Sequence, residues 1–312
     1  MPAAQNIAPF YLTGPTASGK SGVAVALAEC IGGEVVNADA FQLYRGLDTL
    51  TAKPSPSERE RVPHHLYDGL DPESLCDAQR YRELALPMIA DIAGRGRWPI
   101  VVGGSGLYIK ALSHGLAELP KGDESLRVEL RALPLAEKVR RLLTLDPEAG
   151  QNVPLANPRY VERALEICLL TGQPQSALRQ NFAQTEPWGR GVVLSWDREA
   201  LYARINQRVL TMLDAGVLAE VAAFHGKGGP EKAIGVKELR AHLAGEGTLA
   251  EAVEAMQQAT RRYAKRQGTW FRRETWLQTI CLDSTSTPES AAKQVIDHFP
   301  GLKSLPHSYQ TG

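Results

Sequence analysis

One octapeptide constrains this chain more than any other feature. Gly14-Pro15-Thr16-Ala17-Ser18-Gly19-Lys20-Ser21 satisfies the pattern G-x-x-x-x-G-K-S/T. A β-prone run, Phe10 to Thr13, leads into it, and a helix-period stretch from Ser21 to Ile31 follows. In that setting the glycines let the backbone curl so that its N–H groups converge on phosphate oxygens, and the helix N-terminus adds positive partial charge. Lys20 supplies a mobile cation, and the Ser21 hydroxyl suits Mg²⁺. The expected phosphate ligands are therefore Gly14, Pro15, Thr16, Ala17, Ser18, Gly19, Lys20 and Ser21, with Ser21 the metal ligand. The loop selects a polyphosphate without choosing between a nucleoside triphosphate and a diphosphate ester, which satisfy the same donors.

The rest of the chain fits an α/β core. Pro9–Thr13, Glu34–Asn37, Trp98–Val102, Gly191–Ser195 and Thr279–Leu282 are continuous apolar runs, as expected of parallel strands covered on both faces. Helix-period stretches such as Ala78–Ala93 lie between them, giving α/β winding. The stretch 115–187 holds no convincing strand and reads as helices: Ser125–Ala132, Leu135–Leu145, Pro158–Thr171 and Pro174–Gln180. The expected organisation is a P-loop core at 1–114 and 188–300, a helical insertion domain at 115–187, and a flexible tail at 301–312. With 312 residues, the chain has room for about two domains, or one core with an insertion.

Charge and cysteine usage narrow the function classes. Lys plus Arg and Asp plus Glu are 35 each, which excludes a globally basic nucleic-acid binder but permits a local basic face. Cys30, Cys76, Cys168 and Cys281 show no metal or redox spacing. Met1 to Asn6 lacks the features of a secretory leader, and no run of about 20 apolar residues is present. A cytoplasmic protein without membrane contact is expected.

A second set of motifs decides between the polyphosphates. Asp39-Ala40-Phe41-Gln42-Leu43-Tyr44 follows the strand at 34–37, so its carboxylate faces the same crevice as the phosphate loop. Thr51-Ala52-Lys53-Pro54, His64-His65-Leu66, Gly103-Gly104-Ser105-Gly106-Leu107-Tyr108, Asn157-Pro158-Arg159 and Lys265-Arg266-Gln267 with Thr269-Trp270-Phe271-Arg272 come after it. In this order, over residues 14–272, the set resembles the tRNA dimethylallyltransferases. Ala40, Leu50, Ser105, Val236 and Arg262 depart from that family's frequent Ser, Gly, Thr, Tyr and Gln. The zinc finger common at the C-terminus of eukaryotic members is not visible, so the chain resembles the shorter bacterial type.

The resemblance implies transfer of a dimethylallyl group from dimethylallyl diphosphate to N6 of adenosine 37, beside the tRNA anticodon. It implies Mg²⁺ as cofactor, dimethylallyl diphosphate and a tRNA anticodon stem-loop as partners, and a monomer. The amine is a poor nucleophile, so the leaving diphosphate must be stabilised, by the loop amides, Lys20 and Arg208. Asp39 is the expected general base, taking the N6 proton late, as that proton turns acidic. Contacts to tRNA are expected from Asp39, Ala40, Phe41, Gln42, Ser105, Arg127, Arg159, Arg163, Arg262, Lys265, Arg266, Trp270 and Arg272. At 100° per residue, Leu249, Val253, Met256, Tyr263 and Trp270 share one helix face, with Arg261, Arg262, Lys265, Arg266, Arg272 and Arg273 opposite. The sequence assigns no role to His64 and His65. A small-molecule kinase, or a nucleotide-regulated RNA-binding protein, is the alternative.

Overall fold

The computed structural model of the chain describes residues 8–116, 119–180, 186–226 and 228–303. Residues 1–7, read above for a leader, and 304–312, most of the expected tail, lie outside that set. The chain divides into one compact unit at 1–113 and 187–312 and another at 114–186.

The larger unit opens with β1 (Phe10–Thr13), α1 (Lys20–Ile31) and β2 (Gly33–Asn37). Then come α2 (Pro56–Arg61), β3 (His64–His65), α3 (Ala78–Gly94), β4 (Trp98–Gly103) and α4 (Gly106–Ser113). The smaller unit holds α5 (Glu124–Ala132), α6 (Leu135–Leu145), α7 (Ala149–Asn152), α8 (Pro158–Thr171) and α9 (Gln175–Gln180). The chain returns to the larger unit through β5 (Arg190–Trp196), α10 (Arg198–Asp214), α11 (Val217–Ala223), α12 (Val236–Leu243), α13 (Leu249–Phe271), β6 (Leu277–Leu282) and α14 (Pro288–His298).

The sheet is wholly parallel, in the order β3-β2-β4-β1-β5-β6. β1 is central and all four of its residues are buried, as its uninterrupted apolarity requires. Phe10 and Leu12 join Val25, Leu27, Ile100, Val192 and Val295 in a core between the sheet and helices α1 and α14. Each such side chain, fully buried, contributes about 1.5–3 kcal/mol. On β1, Tyr11 packs edge-on against Trp276, and the Tyr81 and Tyr108 rings stack at 4.2 Å. A second apolar cluster joins Leu47 and Leu50 of the long β2–α2 connection to α10, α11, α12 and α13.

The smaller unit has its own core, with Leu130, Leu142, Val161, Ala164 and Leu165 at its centre. Glu166, 1% exposed, accepts from the Asp123 N–H at 2.9 Å and pairs with Arg127 Nε at 2.9 Å and Arg163 Nη1 at 2.5 Å. These bonds hold its carboxyl below the usual range despite burial.

Two details differ from the sequence reading. β3 is a strand of two residues, too short for any periodicity, and pairs with Val35 and Val36. The expected tail starts later: Pro300–Lys303 is a 3₁₀ turn, and Leu302, 5% exposed, enters the core with Val295. Its apolar side chain is what anchors a segment otherwise read as polar. Among the described residues no helix is long and apolar enough to cross a membrane.

Candidate active site

The phosphate loop is held from outside through its carbonyls. Trp196 Nε1, at the carboxyl end of β5, donates to Ser18 O at 3.0 Å, and Arg204 Nε donates to Ala17 O at 2.9 Å. Arg204 itself lies over the Trp196 ring at 4.2 Å. Lys20 Nζ donates to Gly14 O at 3.0 Å and Pro15 O at 2.8 Å. Gly14, at φ 146°, sits so close to β5 that a Cβ would meet Leu194 O. Gly19, in the left-handed region, turns the chain into α1, whose first-turn amides then point back at the loop. Ser18 Oγ is fully buried and has no hydrogen-bond partner.

Arg208 Nη1 reaches Thr16 Oγ1 at 3.2 Å. Burial lowers the Lys20 ammonium to about 8, with Arg208 adding to the shift and Asp39 opposing it. Arg208 is shifted down by burial first, with Asp39 again opposing and Arg204 adding. Two partly buried cations thus share one nearby carboxylate, an arrangement that favours an added anion.

That carboxylate is rigidly placed. Asp39 N donates to Asn37 Oδ1 at 2.8 Å, and Asp39 Oδ1 accepts from Phe41 N at 3.0 Å. Asn37 Nδ2 also donates to Leu66 O at 3.0 Å. Asp39 and the loop residues Thr16, Gly19, Lys20 and Ser21 line one cavity of about 1160 Å³, together with Arg204 and Arg208.

A buried glutamine joins three motifs. Gln267, 6% exposed on α13, accepts from Thr16 N at 2.8 Å and donates to Gly104 O at 2.9 Å. Its Nε2 occupies the space where a Cβ at Gly104 would sit. Ser105 Oγ accepts from Ala40 N at 2.9 Å, and the Tyr263 phenol is raised by burial and by Asp39. Trp270 lies against Gly106, where a Cβ would strike its ring.

The T-A-K-P motif lines the cavity wall, and the H-H-L motif lies outside the lining. The Lys53 side chain is 1% exposed, and its Nζ donates to Tyr44 O at 2.7 Å and Gly46 O at 2.9 Å while pairing with Asp48 and Asp68. His64 Nδ1 bonds Val62 O at 2.8 Å, and burial lowers its pKa. His65 bonds Glu34, which Arg95 also grips. These histidines bind protein groups, and among the described residues no cluster of three or more His, Cys, Asp or Glu could hold a metal.

Several residues expected at a tRNA surface have partners within the protein. Gln42 Nε2 donates to Thr51 O at 2.8 Å and Ala52 O at 3.1 Å, so its donors are committed to the wall. Phe41 packs on the Leu50 cluster and lines an apolar hollow. In the smaller unit, Arg127 and Arg163 answer Glu166, whereas Arg159 is exposed at the start of α8. On α13, Arg262, Lys265, Arg266, Arg272 and Arg273 are exposed, but Arg261 turns to Asn206 Oδ1 at 2.6 Å. Local patterning missed Gln267, Arg204, Trp196 and Glu220. Glu220 accepts from Thr49 N and Leu50 N, both at 2.8 Å. Arg204 alone carried a signal, standing one turn before Arg208 on the same helix.

With this geometry in hand, comparison with known proteins is specific. The IPP transferase family model matches residues 42–274. A tRNA dimethylallyltransferase of Geobacter metallireducens is 47% identical over 84% of this chain and 88% of its own length. That of Maricaulis maris is 43% identical over 94% and 99%. Among solved structures, the full-length tRNA isopentenylpyrophosphate transferase of Bacillus halodurans is similar with a TM-score of 0.69 and 34% identity, over 96% of this chain and 98% of that one. A eukaryotic dimethylallyltransferase acting on tRNA gives a TM-score of 0.82 at 26% identity, over 95% and 80%. The chain belongs to the tRNA dimethylallyltransferase family.

Proposed function

We propose that this chain transfers the dimethylallyl group of dimethylallyl diphosphate to N6 of adenosine 37, next to the tRNA anticodon, releasing diphosphate. The observation that carries the reading is one cavity in which a phosphate loop, Lys20, Arg208 and the carboxylate of Asp39 meet. A kinase can set a carboxylate base opposite the same cations, and it is the family match that favours an amine acceptor over a hydroxyl.

The diphosphate lies against the first-turn amides of α1, with Lys20 and Arg208 on its oxygens and the Ser18 hydroxyl within the loop. As the C1–O bond breaks, negative charge grows on the leaving group, and these pre-placed donors meet it without reorganising. Each such donor is typically worth about 3–4 kcal/mol. The N6 lone pair forms the new bond to C1. The N6 proton then passes to Asp39, whose free oxygen faces the cavity while Phe41 N–H holds the other.

Ser21 lines the same cavity as Lys20, and its hydroxyl would supply a protein ligand to a Mg²⁺ ion at the diphosphate. Bound there, the ion would neutralise charge on the leaving diphosphate. On the RNA side, an anticodon-loop base is single-stranded and can be turned out of its stack. Arg262, Lys265, Arg266 and Arg272 are the phosphate contacts, with Arg159 on the insertion adding to the grip. Arg127 and Arg163 brace the helix of Arg159 through Glu166, and Ala40, Gln42, Ser105 and Trp270 shape the adenine's entry.

The test is transfer of label from dimethylallyl diphosphate to unmodified tRNA, run beside labelled ATP. Label in tRNA with stoichiometric diphosphate release supports the proposal. Phosphoryl transfer from ATP without prenyl transfer overturns it.

A further inference from the structure

Beside the phosphate loop lies a second hollow, of about 70 Å³. Phe41, Leu50, Ile205, Val209, Met212 and Met256 supply its apolar lining. Thr16, Asp39 and Arg208 line both this hollow and the large cavity. An apolar pouch that opens where diphosphate and carboxylate meet is the natural seat for the hydrocarbon of an allylic diphosphate.

Resting on the function proposed above, the geometry points to Leu50 as the residue that limits the transferred hydrocarbon to one five-carbon unit. The size argument comes first. A dry cavity of about 150 Å³ takes benzene. A pouch of about 70 Å³ is small beside that, closer to one five-carbon unit than to two. Leu50 is 5% exposed, and its side chain is wedged against Gly235 and Met256. Its backbone N–H is bound by Glu220 at 2.8 Å, so this part of the wall is fixed. Ala233 lines the pouch beside it, and Val236 and Leu239 belong to the same apolar cluster.

Two departures from the family pattern fall together here. Leu50 stands where Gly is frequent, and Val236 where Tyr is frequent, and both are buried in this cluster. Truncating Leu50 would join the pouch to the space its branches vacate.

The experiment compares kcat/KM for geranyl diphosphate and dimethylallyl diphosphate on unmodified tRNA. Wild type, Leu50→Ala, Leu50→Val and Leu47→Ala are assayed, with folding checked by circular dichroism. Leu47, 1% exposed, belongs to the same cluster and does not line the pouch, so it controls for general loosening. Leu50→Ala is expected to raise the geranyl-to-dimethylallyl ratio at least about tenfold, with Leu50→Val smaller in the same direction and Leu47→Ala unchanged. The milder Leu50→Val keeps the test open should Leu50→Ala not fold. A ratio within about twofold of wild type in both Leu50 variants, or an equal shift in Leu47→Ala, overturns the assignment. Failure of wild type to transfer dimethylallyl at all strikes the proposed function instead.

Discussion

Gln267 offers the sharpest test of how the site is held. Its amide bridges Thr16 N on the phosphate loop and Gly104 O after β4, 251 and 163 residues away in the chain. Gln267→Ala strands one buried donor and one buried acceptor. Each stranded group costs about 1–3 kcal/mol, so the variant should lose about 2–6 kcal/mol of stability. Gln267→Met fills the volume without either hydrogen bond, which separates packing from positioning. With Thr16 N released, the loop drifts relative to Asp39, and a misplacement of about 1 Å costs about 10²-fold in rate. Urea unfolding and steady-state kinetics read the two effects. Gln267→Met leaves the same two groups stranded, so it should recover only the packing part of that stability while kcat stays about 10²-fold down and tRNA affinity stays within about twofold. Wild-type turnover in a folded Gln267→Met would refute the positioning role.

Other expectations concern charge. Lys20 has its pKa lowered to about 8 in the folded protein, so above that pH it loses the cation that grips diphosphate. The free-enzyme profile of kcat/KM should therefore fall as pH rises through about 8, and Lys20→Arg should shift that limb upward. The same depression makes the unfolded chain bind more protons between about 8 and 10.5, so this group adds stability as pH rises through that window. Replacing Arg262, Lys265 and Arg266 with Ala should weaken tRNA binding and flatten its dependence on salt, measured by filter binding across salt concentrations. An unchanged slope would leave that face of α13 a solvated surface.

Much of this site was visible in the sequence because its parts carry their chemistry at the ends of strands. Gly14–Ser21 and Asp39 each follow a buried apolar run, and strand-end position alone sends both to one crevice. The periodicity of α13 likewise separated its core face from Lys265 and Arg266. Gln267 was visible only as part of the Lys265-Arg266-Gln267 motif and drew no role, because it lies within that core face, where periodicity anticipates an apolar side chain. Its partners come from loops far away in sequence. Arg127 and Arg163 read as surface cations, since nothing local shows that Glu166 would be buried beneath them. Phe41 and Gln42 read as ligand contacts because they adjoin Asp39. The return of the chain through Thr51 and Ala52 is what draws them into the wall.

The central claim is that the cation-lined loop and the Asp39 carboxylate act together to alkylate an adenine amine. Nucleoside analysis of unmodified tRNA after incubation with dimethylallyl diphosphate and either wild type or Asp39→Asn tests it most directly. The account expects N6-dimethylallyladenosine at position 37 with wild type, and a loss of at least about 10²-fold in its rate of formation with Asp39→Asn at near-normal tRNA affinity. Absence of that nucleoside with folded wild type, or equal yield and rate from Asp39→Asn, would contradict it.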